Sequence, residues 1–196
     1  MKFSLYLIGV FCLGCVSVPD LEFIIATNDA ETYPGEVKDF ERAVESWSDH
    51  LDFTYHIEIS DNDIGLGKVI RVDFVDMSKE LFLQETVGLW DYNRRIIFLD
   101  ICCNDLIYPI SLHELGHVFG LGHFANIEDQ YEVGSVIVQD ADTYIMYGRM
   151  SPRNMNAEIS PLEINLALRS FVSPIQECKY EAINRCRDQG RQDSKR

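Results

Sequence analysis

His113-Glu-Leu-Gly-His117-Val-Phe-Gly120-Leu-Gly-His123 sets the expectations for the rest of the chain. Residues four apart leave one face of an α-helix together, so the imidazoles of His113 and His117 can reach a single metal ion. Glu114 projects about 100° further round, beside such an ion, where a carboxylate can take a proton from an activated water. Gly120 can adopt the left-handed conformation that ends a helix and turns the chain, returning His123 as a third ligand. Three neutral imidazoles with one position open describe a catalytic zinc site rather than a closed structural one. The chain holds 5 histidines, and three of them fall here. A chance match to the template arises roughly once in 100,000 sequences of this composition. That frequency decides against the competing reading, a buried helix whose histidines merely satisfy core hydrogen bonds.

Before this stretch the apolar pattern alternates between strand and helix. Leu21–Thr27 is an apolar, β-branched run and predicts a first strand, broken by Tyr33-Pro34-Gly35. Glu36 to His50 carries Val37, Phe40, Ala43, Val44 and Trp47 at helical spacing. Phe53–Ile59 alternates and predicts a half-buried strand. Lys68–Val75 does so too, with Val69, Arg71, Asp73 and Val75 on one face and Ile70, Val72 and Phe74 on the other. Arg94–Ile101 reads as a strand buried on both faces. The histidine helix then starts between Asp105 and Pro109, with Pro109 in its first turn and Leu112, Leu115 and Phe119 packing on the sheet. His50 and His56 have no partner at ligand spacing and read as structural. After His123 comes a loop of about twenty residues. Ser160-Pro-Leu-Glu163 is a capping box that opens a last helix, with Ile164, Leu168 and Phe171 at core spacing.

Residues 113–123 match in full the zinc signature of the metzincin metallopeptidases, HExxHxxGxxH. Met146-Tyr147 resembles the methionine-containing turn of the matrixin branch. Gly148 stands where two other branches carry a zinc-binding tyrosine, so Tyr147 is given no ligand role. The resemblance extends over residues 20–172, with the specific motifs confined to 113–123 and 146–147. It implies an α+β catalytic domain: a twisted, mostly parallel sheet with an antiparallel edge strand, a zinc helix and a C-terminal helix. It also implies zinc held by His113, His117 and His123, Glu114 as general base, and hydrolysis of a protein or peptide. Extended substrates in this family lie along an edge strand, for which Gly88–Tyr92 is the candidate. Gly88, Leu89, Trp90 and Tyr147 are thus candidate substrate-binding residues. A non-cleaving zinc module, such as an adhesin on a protease scaffold, is the rival; Glu114 speaks against it, since a structural site needs no such carboxylate. A zinc hydrolase of a non-peptide substrate is a third reading.

Lys2, the apolar run from Phe3 to Val16 and small residues after it make residues 1–17 an export signal. The run falls short of the about 20 apolar residues that span a bilayer. Gly14-Cys15 resembles the end of a bacterial lipobox, although Cys12 replaces the usual leucine. The protein is therefore expected to be secreted, or anchored at the cell surface through a lipidated Cys15. About five residues separate Cys15 from Leu21, so no long pro-segment is expected. Residues 20–175 suit one domain, followed by a polar tail over 176–196. The net charge of −15 disfavours nucleic acid as a partner, and a monomer is expected. Asp61-Asn62-Asp63, Glu128, Asp129, Asp140 and Asp142 are candidate calcium ligands, against the plainer reading of solvated acidic loops. Export implies an oxidising compartment. Adjacent cysteines rarely bond each other, so Cys102 and Cys103 are expected to pair with Cys178 and Cys186, with a local Cys178–Cys186 link as the alternative.

Overall fold

Four parallel strands make the centre of the molecule: β1 (Asp20–Ile25), β2 (Thr54–Ile59), β3 (Val69–Val75) and β5 (Ile96–Asp100). Strand β4 (Gly88–Asp91) runs antiparallel to β5 at one edge, and the order across the sheet is β2-β1-β3-β5-β4. The computed structural model describes residues 20–61, 69–79, 86–126, 135–149, 153–156 and 158–170. Helices α1 (Thr27–Thr32), α2 (Pro34–Leu51), α3 (Ile107–Val118) and α4 (residues 161–170) complete an α+β architecture. Parallel neighbours need a crossover connection, and α1 with α2 supplies the one from β1 to β2.

The period-two alternation assigns the two faces of the sheet. Ile70, Val72 and Phe74 of β3 are buried, as are Phe23 and Ile25 of β1 and Ile97 and Leu99 of β5. All face the helices in one core. The opposite face holds a smaller cluster of Met77 and Phe98, with Leu89, Val75 and Ile96 packed against it. That second cluster explains why β5 is buried on both faces.

Helix α2 buries Val37, Phe40, Ala43, Val44, Trp47 and Leu51 along one stripe, worth about 1.5–3 kcal/mol for each large side chain. The indole N–H of Trp47 donates to the Leu112 carbonyl at 3.0 Å, and its ring centroid lies 5.2 Å from that of Phe119. Both contacts reach α3 or its end, so α2 fixes the roll of the histidine-bearing helix. Trp47→Ala would remove this clamp at a cost of about 3–5 kcal/mol.

Five local expectations need correction. Strand β2 begins at Thr54 and is mostly exposed, being an edge strand, instead of half-buried from Phe53 to Ile59. The first strand ends at Ile25, and Thr27–Thr32 is helical. That helix buries no residue, so it leaves no apolar period to detect; the Asp61 carboxylate caps it by accepting from the Thr27 N–H at 2.9 Å. Pro34 opens α2 instead of separating elements, because at the first helical position its missing N–H is not needed. Arg94 and Arg95 belong to the turn before β5: the Asp91 carboxylate accepts from the Asn93 and Arg94 N–H groups at 3.0 and 3.1 Å. In α4 the buried residues are Glu163 and Ala167, whereas Leu168 is 37% exposed. The bonds made by Glu163, described below, turn that face of the helix inward.

Candidate metal centre

Helix α3 ends as its sequence requires. Gly120 has φ +84°, its N–H donates to the His117 carbonyl at 3.0 Å, and the Leu121 N–H donates to the Gly116 carbonyl at 2.9 Å. This pair of bonds is the Schellman motif. It returns the chain so that the His123 ring stands beside those of His113 and His117, with centroids 5.2 and 4.8 Å away. One ring nitrogen from each of the three histidines lies within 4.8 Å of the others.

Backbone carbonyls set the tautomers. His113 Nδ1 lies 2.7 Å from the Ile145 oxygen and His117 Nδ1 lies 2.8 Å from the Leu121 oxygen. A carbonyl only accepts, so each Nδ1 carries the hydrogen and each Nε2 presents a lone pair. His117 Nε2 and His123 Nε2 approach to 3.2 Å, a separation at which a proton or a cation has to lie between them. Burial, with His117 and then His123 adding to it against the opposing Ile145 bond, pushes His113 down to about 3. The ring is partly accessible by surface area, and the protein packed around it still keeps it neutral at physiological pH. A neutral imidazole set of this kind fits a borderline-soft divalent ion such as zinc.

Glu114 is 4% exposed. Burial raises its carboxyl to about 8, against the opposing effect of a bond from the Trp90 backbone N–H. That N–H belongs to β4, which thus runs directly beside the carboxylate. The Asp100 N–H donates to the Val87 carbonyl at 3.0 Å. With Gly88 opposite Leu99 and Trp90 opposite Ile97, the backbone groups of Gly88 and Trp90 then turn away from β5 to the outer edge. Leu89 points to the other face, into the cluster with Met77 and Phe98.

No protein-family model matches this chain, and no curated protein matches it.

Met146 is fully buried beneath α3, where a Cβ on Gly116 would overlap its sulfur. The Glu163 carboxylate bridges two backbone donors, accepting from the Met146 N–H at 2.9 Å and the Ser160 N–H at 2.8 Å. Ser160 Oγ completes the capping box by accepting from the Glu163 N–H at 3.2 Å. Tyr147 is half-buried against the core and bridges Phe124. Gly148 backs His123: a Cβ there would lie 3.3 Å from the His123 ring. The sequence reading missed the carbonyls of Leu121 and Ile145, and it saw Glu163 only as part of a cap. Backbone acceptors carry no sequence signal. For Glu163, an acid predicted on the inner face of an apolar helix would have been the clue.

His50 and His56 are exposed and stand outside this group. Cys102 is a free, exposed thiol whose Sγ lies 3.4 Å from Asp76 Oδ1; Cys15, Cys178 and Cys186 lie outside the described residues, as does the segment 1–17. Asp76, Asp100 and Cys102 also approach one another. Their oxygens already serve the protein: Asp76 takes bonds from Lys79 and Ser78, which hold its carboxyl at about 2, and Asp100 accepts from the Met77 and Cys102 N–H groups. Of the calcium candidates, Asp61 caps α1 and Asp142 pairs with Arg153 at 3.3 Å. Asp140 adopts a left-handed turn, while Asn62, Asp63, Glu128 and Asp129 lie outside the described residues. Among the described residues these acids form no group of three, and no helix is long and apolar enough to cross a membrane.

Proposed function

We propose that this protein is a zinc-dependent endopeptidase of the metzincin type. The observation that carries the reading is the convergence of His113, His117 and His123, two of them with Nδ1 committed to carbonyls, next to a buried Glu114. Zinc held by the three imidazoles would supply Lewis acidity for a water and a substrate carbonyl, together with a positive charge that favours ionised Glu114.

The remaining work falls to the chain's own groups. The Glu114 carboxylate, held by the Trp90 N–H, takes the proton of the attacking water and returns it to the departing amine nitrogen. The outward backbone groups of β4 other than the Trp90 N–H offer an extended peptide a strand to pair with, with its scissile bond near Glu114. Met146 packs under α3 and keeps the ligand-bearing turn rigid. The apolar run within residues 1–17, read as an export signal, supports an activity outside the cytoplasm, free or tethered through Cys15.

The test is metal analysis of the purified protein combined with a peptide-library digest, with and without chelator. One zinc per chain and chelator-sensitive cleavage are expected. Glu114→Ala should keep the zinc and lose about 10²–10⁴-fold in turnover, whereas His117→Ala should lose both. Near wild-type cleavage by Glu114→Ala would overturn the mechanism, and a zinc-loaded wild type that cleaves no peptide would favour the non-cleaving module.

A further inference from the structure

We infer that Gly88 is a positioning residue for Glu114, its missing side chain being the space in which the carboxylate sits; this rests on the reading of Glu114 as the base. A Cβ at position 88 would lie 2.6 Å from Glu114 Oε1, 3.0 Å from Glu114 Cγ and 2.5 Å from Ile110 Cγ2. Non-bonded carbons settle at about 3.5–4.0 Å, so even a methyl group forces the carboxylate or the strand to move. Backbone conformation is not the reason for glycine here, since Gly120 is the one described glycine with positive φ. Inside a strand a glycine gives up side-chain packing and marks a close approach, and the groups that approach are Ile110 and Glu114.

Two alternate residues of β4 therefore hold one carboxylate from the same side. Trp90 directs it with a backbone N–H, and Gly88 leaves the room it needs. A shift of about 1 Å in a reacting group can lower a rate by about 100-fold. Loss of this space should act more on turnover, because Glu114 moves a proton, than on ground-state binding.

The test compares Gly88→Ala with Gly35→Ala, a control glycine with nothing within 4 Å of the added carbon. Gly88→Ala is expected to retain one zinc per chain and to lower kcat about 100-fold, a larger change than in KM. The readout independent of activity is the Glu114 side-chain carboxyl ¹³C resonance at one fixed pH, assigned by its loss in Glu114→Gln. It should move in Gly88→Ala and stay in place in Gly35→Ala. If Gly88→Ala does not fold, the same measurements are made on Gly88→Ala/Ile110→Ala, which removes the other overlapping atom, against Ile110→Ala alone. An unmoved resonance, or a raised KM with kcat kept, overturns the inference. A moved resonance in a protein whose wild type cleaves no peptide would sink the peptidase reading while leaving the Gly88–Glu114 contact standing.

Discussion

The Glu163 carboxylate accepts a hydrogen bond from the Met146 backbone N–H at 2.9 Å, although 17 residues separate the two. The consequence runs to the histidines in two steps. Holding Met146 also holds its neighbour Ile145, whose carbonyl takes the Nδ1 hydrogen of His113 at 2.7 Å. The last helix is thereby coupled to the orientation of the His113 ring.

Removing that carboxylate should weaken both stability and metal affinity. Glu163→Ala leaves two backbone donors without their acceptor and should cost about 3 kcal/mol, read from the urea midpoint. Zinc affinity should fall about 10-fold, as for other groups that orient ligands. Unchanged affinity in a folded Glu163→Ala protein would show that the turn is held by packing alone.

Gly116 and Met146 should prove strongly coupled. Gly116→Ala puts a methyl group onto the Met146 sulfur and should destabilise by about 1–3 kcal/mol. In a Met146→Ala background the methyl finds space, so the double variant should be more stable than the sum of the single losses predicts. A double-mutant cycle in denaturant measures this, and an additive result would mean that the turn simply moves aside.

Zinc should stabilise the fold through its three ligands. At a free concentration 1,000 times Kd, linkage gives about 4 kcal/mol, or roughly 8–16 °C in Tm for a domain of this size. Chelator should reverse the gain, and His123→Ala should abolish most of it. Equal melting curves for wild type with and without zinc would count against the site.

The chelated protein should be most stable in mildly acidic solution. Glu114 is raised from 4.5 to about 8 on folding, so the native state holds the extra proton between these values and stability grows as pH falls through 8. His113 is lowered from 6.5 to about 3, so the unfolded state takes the proton first and stability is lost as pH falls below 6.5. The two effects offset each other between 4.5 and 6.5, leaving a plateau there. Urea titrations across pH on wild type and Glu114→Gln test the alkaline arm, which the variant should lack. Zinc competes with protons for the imidazoles and should move the optimum above the plateau.

Sequence alone determined the elements whose signal is local. The spacing of His113, Glu114, His117, Gly120 and His123 sufficed for a helix, its left-handed stop and a returning histidine, because each depends on helical geometry and on one glycine. The period-two run located β3, since burial on a pleated sheet repeats every second residue, and a short unbroken apolar run located β5, which is buried on both faces. Only tertiary structure decided the rest. Helix α1 buries nothing, and Leu168 turned outward because a distant N–H and a cap drew Glu163 inward. The tautomers of His113 and His117 depend on carbonyls that every residue possesses. The seat of Glu114 is a matter of ångströms between β4 and α3, which strand pairing and helix packing set together. Contacts between distant backbone groups leave no periodicity in a sequence, and for that reason the positioning of this site became visible only once the chain had folded.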